Sequence, residues 1–164
     1  MASLEVVAHV FLLGVGATVV MDLWMFLMKA FGVPTLNFAF VGRWAGHVCQ
    51  GKFAHASIGQ AMPVRGEVVL GWVAHYATGV AFAVLLACIQ GVAWLQEPTF
   101  LPAVALGVAT VAVPLFVIQP AMGAGFASSK TPTPAKNCMR SLINHAVFGV
   151  GLYLSAVVIA LASK

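Results

Sequence analysis

The stretch "LEVVAHVFLLGVGATVVMDLWMFLM", residues 4–28, decides the fold. Its only charges are Glu5 near the start and Asp22 near the end. At 1.5 Å per residue, about 20 apolar residues in a helix cross the ~30 Å hydrocarbon core of a bilayer. Three more apolar runs of that length follow, at about 68–93, 100–122 and 142–162. In lipid only helices and closed barrels satisfy their backbone, and unbroken apolar runs lack the alternation of a barrel strand. The sequence therefore predicts an all-α fold, a four-transmembrane-helix bundle forming a single membrane domain over residues 1–164.

Composition points the same way. The 164 residues are 62% hydrophobic and 7% charged, with a mean hydropathy of +1.01. Soluble domains carry about 25% charged residues. The opening "MASLEVVAH" has no Lys or Arg and no small-residue cleavage site after it, so the first run is expected to stay as a membrane helix rather than a signal peptide.

Lys and Arg set the expected orientation. Lys29, Arg43, Lys52 and Arg65 fall between the first two runs, and Lys130, Lys136 and Arg140 between the last two. The other side has only Lys164, beside Glu5 and Glu97. The positive-inside rule then places both basic loops in the cytoplasm and both termini outside. The net charge of +4 reads as this asymmetry plus attraction to anionic headgroups. No basic face is interleaved with aromatics, which excludes a nucleic-acid partner and leaves the lipid bilayer.

The long connection between the first two runs has its own pattern. Leu36, Phe40, Trp44 and Val48 recur every fourth residue, predicting a cytoplasmic-side interfacial helix over about 35–50. Trp44 and Arg43 are its expected anchors, the indole at headgroup level and the guanidinium toward phosphates, and Gly51 its expected end. The second basic loop, "GAGFASSKTPTPAKN", reads as irregular and solvated. In the third run Pro114 should kink the helix, and Pro120 should kink or end it, because proline removes a backbone donor.

Inside the runs Asp22, His75, Gln119 and His145 stand out. Under the predicted topology all lie in the cytoplasmic half of the bilayer, where they could form one layer. Helical spacing aims them at neighbouring helices. Gly14, Thr18 and Asp22 share one stripe, His75, Gly79 and Ala83 a second, and Ser141, His145 and Gly149 a third. Small residues on such stripes let membrane helices approach closely and favour a homo-oligomer. An unpaired Asp at mid-helix costs about 2.5–3.5 kcal/mol, so Asp22 calls for a partner. His75 or His145 is the expected one, with Thr18 adding a hydrogen bond.

Several chemistries fit such a layer. Interhelical hydrogen bonds would fix helix order, and an intramembrane acid beside histidines suits proton-coupled transport. Two His with a carboxylate suit a transition metal, and His75 with His145 a haem. No nucleophile–base pair, phosphate loop, nucleophile elbow or H-E-x-x-H accompanies them, so the reading leans away from an enzyme. The stripe Met21, Met25, Met28 reads first as core packing rather than a copper site. His47-x-Cys49 with His55 offers donors but matches no zinc spacing. Cys49, Cys88 and Cys138 form no C-x-x-C motif. A faint repeat pairs "GVGATVVMD" with "GVATVAVP" and "HYATGVAF" with "HAVFGVGLY", as parallel repeats would.

The motifs "GATVVMDLW", "GVPTLNFAFVGRWAGH", "GWVAHYATGVAFA", "QPAMGAGFASSKTP" and "HAVFGVGLYL" span nearly the whole chain. In them the sequence resembles a bacterial family of small four-helix membrane proteins catalogued as a domain of unknown function. The resemblance implies the bacterial inner membrane. It carries no activity, substrate or cofactor, and the cysteines and the Met stripe lie outside the shared pattern. The expected function is a transport or membrane-associated accessory component. The alternatives are a haem- or metal-binding redox protein on His75 and His145 and a structural partner of a larger complex.

Overall fold

The computed structural model describes residues 3–163. Lys164, the one basic residue expected on the outer side, lies outside them. The described chain is all-helical, with no strand. Helix α1, Ser3–Ala30, carries Glu5 in its first turn and Lys29 in its last, each sign matching the helix dipole. It closes in a Schellman turn. Gly32 takes a φ of +76°, its N–H reaches the Lys29 carbonyl, and that of Val33 reaches Met28.

Helix α2, Phe38–Val48, is capped by the Asn37 side chain on the Ala39 N–H. Gly51, at φ +80°, closes it in the same way, with Lys52 N–H on the His47 carbonyl. Helix α3 runs Glu67–Gln90. Helix α4, Phe100–Ala109, leads into a π-helical turn, Pro114–Ile118, and a closing turn, α5, Gln119–Ala121. Pro114 has no N–H, and the ladder resumes in a wider register, with Gln119 N–H on the Pro114 carbonyl five residues back. The expected kink takes the form of a π turn.

Helix α6, Pro134–Ala162, starts well before the apolar run at Leu142. This corrects the reading of the second basic loop. Lys136, Cys138 and Arg140 stand on helix, because Pro134 occupies the first helical position, where its missing N–H costs nothing. Only the stretch before Pro134 is irregular.

Among the described residues, four helices are long and apolar enough to cross a membrane: Ser3–Ala30, Glu67–Gln90, Phe100–Ala121 and Pro134–Ala162. Their outward residues are apolar too, with Leu101 76% exposed, Val158 65% and Leu23 64%. Water would penalise that surface at every step, whereas hydrocarbon does not.

The chain divides into two compact units. The first holds the residues up to Pro34, Tyr76–Thr110 and those from Ile143. Its core joins Leu13 and Ala17 of α1, Ala83 and Leu86 of α3, Ala103 of α4 and Phe148, Leu152 and Ala156 of α6. Glycines set the approach distances. A Cβ on Gly79 would collide with Thr18, and one on Gly107 with Gly149 of α6. The second unit holds Thr35–His75 and Val111–Leu142. There α2 and α3 touch through Gly42 and Gly71, and Gly123 leaves room for the Ala56 carbonyl.

Candidate functional site

In the first unit Asp22 is 5% exposed, and the Tyr76 hydroxyl donates to its Oδ2 at 2.8 Å. The two residues come from α1 and α3, which the Gly79–Thr18 contact brings together. A phenol is a fitting partner for a buried acid: it supplies a strong donor without adding a second charge. Thr18 behaves differently from the expectation. Its hydroxyl donates to the Gly14 carbonyl one turn back, at 2.8 Å. Its single proton is therefore spent on its own helix, as Ser and Thr often do inside helices.

His145 meets α4. Its Nδ1 lies 2.9 Å from the Thr110 Oγ1, whose own hydroxyl donates to the Gly107 carbonyl at 2.7 Å. With that hydrogen committed, the Thr110 oxygen accepts and His145 carries a proton on Nδ1. The Phe82 ring stands edge-on to the imidazole at 6.5 Å. Gly149, one turn along α6, packs on Val104 of the same α4. The pairing of His145 with Gly149 thus has a physical sense: the glycine admits the α4 backbone, and the histidine bonds a side chain on it. Trp24 Nε1 also donates to Asn144 Oδ1, at 3.1 Å.

In the second unit the His75 ring packs on Phe38, at 4.7 Å between centroids, and edge-on to Trp72, at 6.0 Å. Gln119 accepts from Ser128 Oγ at 2.8 Å. Ser128 is buried and sits, like Ala127, at positive φ, where only tertiary contacts hold a non-glycine residue. Each member of the expected polar layer has a defined setting within its own unit.

Arg43 corrects the sequence reading. It is buried, not turned outward to phosphate. Nε and Nη2 each donate to a Glu67 carboxylate oxygen at 2.8 Å, a two-bond fork. Nη1 donates to the carbonyls of Ile58, Gly59 and Ala61 at 3.1–3.4 Å. The hydrogen bonds to Glu67 raise the Arg43 pKa against the opposing pull of burial. Trp44 keeps an outer position, half-buried, with Nε1 donating to the Phe53 carbonyl at 2.9 Å. Beside it His47 Nδ1 and His55 Nε2 lie 2.7 Å apart.

The family model described as "Protein of unknown function (DUF2938)" matches residues 11–159. The chain belongs to the DUF2938 family. No curated protein and no solved structure matches it. The matched range contains the polar side chains of this site, from Thr18 to His145.

Among the described residues, no three His, Cys, Asp or Glu side chains converge as a metal site would require. Cys138 Sγ donates to the Ala127 carbonyl, and Cys49 and Cys88 are exposed. Met25 is buried and Met21 packs against the core, the ordinary use of thioethers. Tyr76, Thr110 and Glu67 are the hydrogen-bond partners that sequence reasoning missed. Each is an uncharged residue inside an apolar run or an acid at its edge, so no local pattern marks it.

Proposed function

We propose that this DUF2938 member is an integral protein of the bacterial inner membrane that works in transport, with Asp22 as the group that gains and loses a proton during the cycle. One observation carries the reading: an acid 5% exposed within a 28-residue apolar helix, held by the Tyr76 hydroxyl. Intramembrane acids are expensive and are retained where a charge must come and go. The phenol moderates that cost in either state, accepting from or donating to the carboxyl group. His145, with one ring nitrogen committed to Thr110, is a second group able to exchange a proton.

The orientation follows from charge. Arg43 is neutralised by Glu67, yet Lys29, Lys52 and Arg65 at the end of α1 and between it and α3, with Lys130, Lys136 and Arg140 before and in the first turns of α6, still favour one cytoplasmic side. Both termini are then periplasmic. On this reading α2 lies at the cytoplasmic membrane surface.

The test is proton flux in liposomes carrying a pH-sensitive dye, with the wild type, Asp22→Asn and Tyr76→Phe, across a panel of amino acids, sugars and organic acids. The expected result is solute-dependent proton movement that Asp22→Asn abolishes and Tyr76→Phe slows, with helicity unchanged. Wild-type liposomes indistinguishable from empty ones, or full flux in Asp22→Asn, would overturn the proposal. A partner retained through gentle detergent purification of such a silent protein would make it an accessory component.

A further inference from the structure

Outside the spans, α2 and the segment after it bring two histidines together. His47, in the last turn of α2, and His55, beyond Gly51, are each 8% exposed. Their rings stack with centroids 4.8 Å apart and planes at 24°, and His47 Nδ1 faces His55 Nε2 at 2.7 Å. The other nitrogen of His55, Nδ1, is buried with no hydrogen-bond partner.

That distance selects a proton rather than a metal as the shared occupant. Two nitrogens at 2.0–2.1 Å from zinc lie about 3.3 Å apart in tetrahedral geometry and about 2.9 Å apart even at a right angle. The observed 2.7 Å is a short hydrogen bond. Such a bond needs one nitrogen protonated and the other bare. The pair can hold two ring protons, or three with one ring cationic. A fourth puts two N–H groups head to head, and the bond is gone.

We propose that the His47–His55 pair is a proton-operated latch, closing the segment Lys52–Ser57 onto α2 while one proton is shared and releasing it when both rings are cationic and no proton can be shared. The surrounding contacts define what moves. Trp44 holds the Phe53 carbonyl from α2, within the segment. Arg43, charged at every relevant pH, holds the carbonyls of Ile58, Gly59 and Ala61 and fixes the hinge just beyond it. The His55 N–H bond to the Ala121 carbonyl must open with the latch.

Burial, then Lys52, then His47 hold His55 below the usual histidine range, and the Ala121 carbonyl offsets this only in part. Glu67, at the start of α3, also interacts electrostatically with His47. Because His55 is depressed in the folded state, its contribution to the closed form is complete above pH ~6.5. It is lost as the pH falls from there toward the lowered value. Within that window each proton that the open form holds beyond the closed one shifts the opening equilibrium about tenfold per pH unit.

The measurement is a titration of purified full-length protein in nanodiscs from about pH 8 to about pH 4.5. It follows Trp44 emission, as the difference between wild type and Trp44→Phe, and the ring nitrogens of 15N-histidine by NMR. The expected result is a red shift of Trp44 with a midpoint below ~6.5, coincident with loss of the shared-proton signal. In His55→Gln, whose amide can donate to His47 without titrating, the shift disappears. A flat wild-type trace, or a shift that survives in His55→Gln, overturns the latch. Should that variant fail to fold, the wild-type spectra decide: two histidines titrating independently near ~6.5 overturn it.

Discussion

Arg43 makes five hydrogen bonds from a single guanidinium, two to Glu67 and three to backbone carbonyls. A lysine cannot reproduce this, since its ammonium lacks the planar fork that engages both carboxylate oxygens. Arg43→Lys should therefore lower the thermal midpoint in detergent, and Arg43→Ala should lower it further. Because both ends of the pair act together, Arg43→Ala and Glu67→Ala combined should cost less than the sum of the two. Strict additivity in that cycle would show the fork to be energetically idle. The sequence marked Arg43 as notable but misjudged its direction. A cation on an amphipathic helix normally faces headgroups, and its carboxylate partner lies 24 residues away, beyond any helical period. Asp22 teaches the same lesson. Its need for a partner was legible from burial cost, but Tyr76, 54 residues on, reads locally as one more aromatic in an apolar run.

Among the elements, the four long apolar helices were legible because composition alone dictates them, whereas their close contacts rest on particular glycines. Gly79 and Gly149 stood out by their spacing from the histidines. Gly107, Gly42 and Gly71 did not, although the first lies directly against α6 and the others join α2 to α3. Gly107→Leu should destabilise the protein by about 1–3 kcal/mol, the usual cost of overpacking. Val108→Leu, at a position 36% exposed, should be close to neutral. Thermal unfolding followed by tryptophan emission distinguishes them, and equal midpoints would mean that α4 and α6 tolerate separation. The early start of α6 escaped the hydropathy reading for a plain reason: its first turns are polar, and only Pro134 signals a helix there.

For the whole molecule, the testable property is which way it faces. With native cysteines replaced, Lys52→Cys should resist a membrane-impermeant maleimide on intact cells and react once the membrane is opened. Labelling from outside would reverse the orientation drawn from the basic loops. The result bears on the polar groups as well, since it fixes which compartment the exposed Lys52 and Arg65 meet.

The Arg43–Glu67 clamp also says something about biogenesis. Everything it needs lies within residues 43–67 and the carbonyls between them, so it can close while the second half of the chain is still being synthesised. Chains generally organise from the N-terminus as they emerge. An early ion pair at the head of α3 would then fix where that span begins before α4 and α6 arrive. The ribosome would deliver them to a hairpin already set in register.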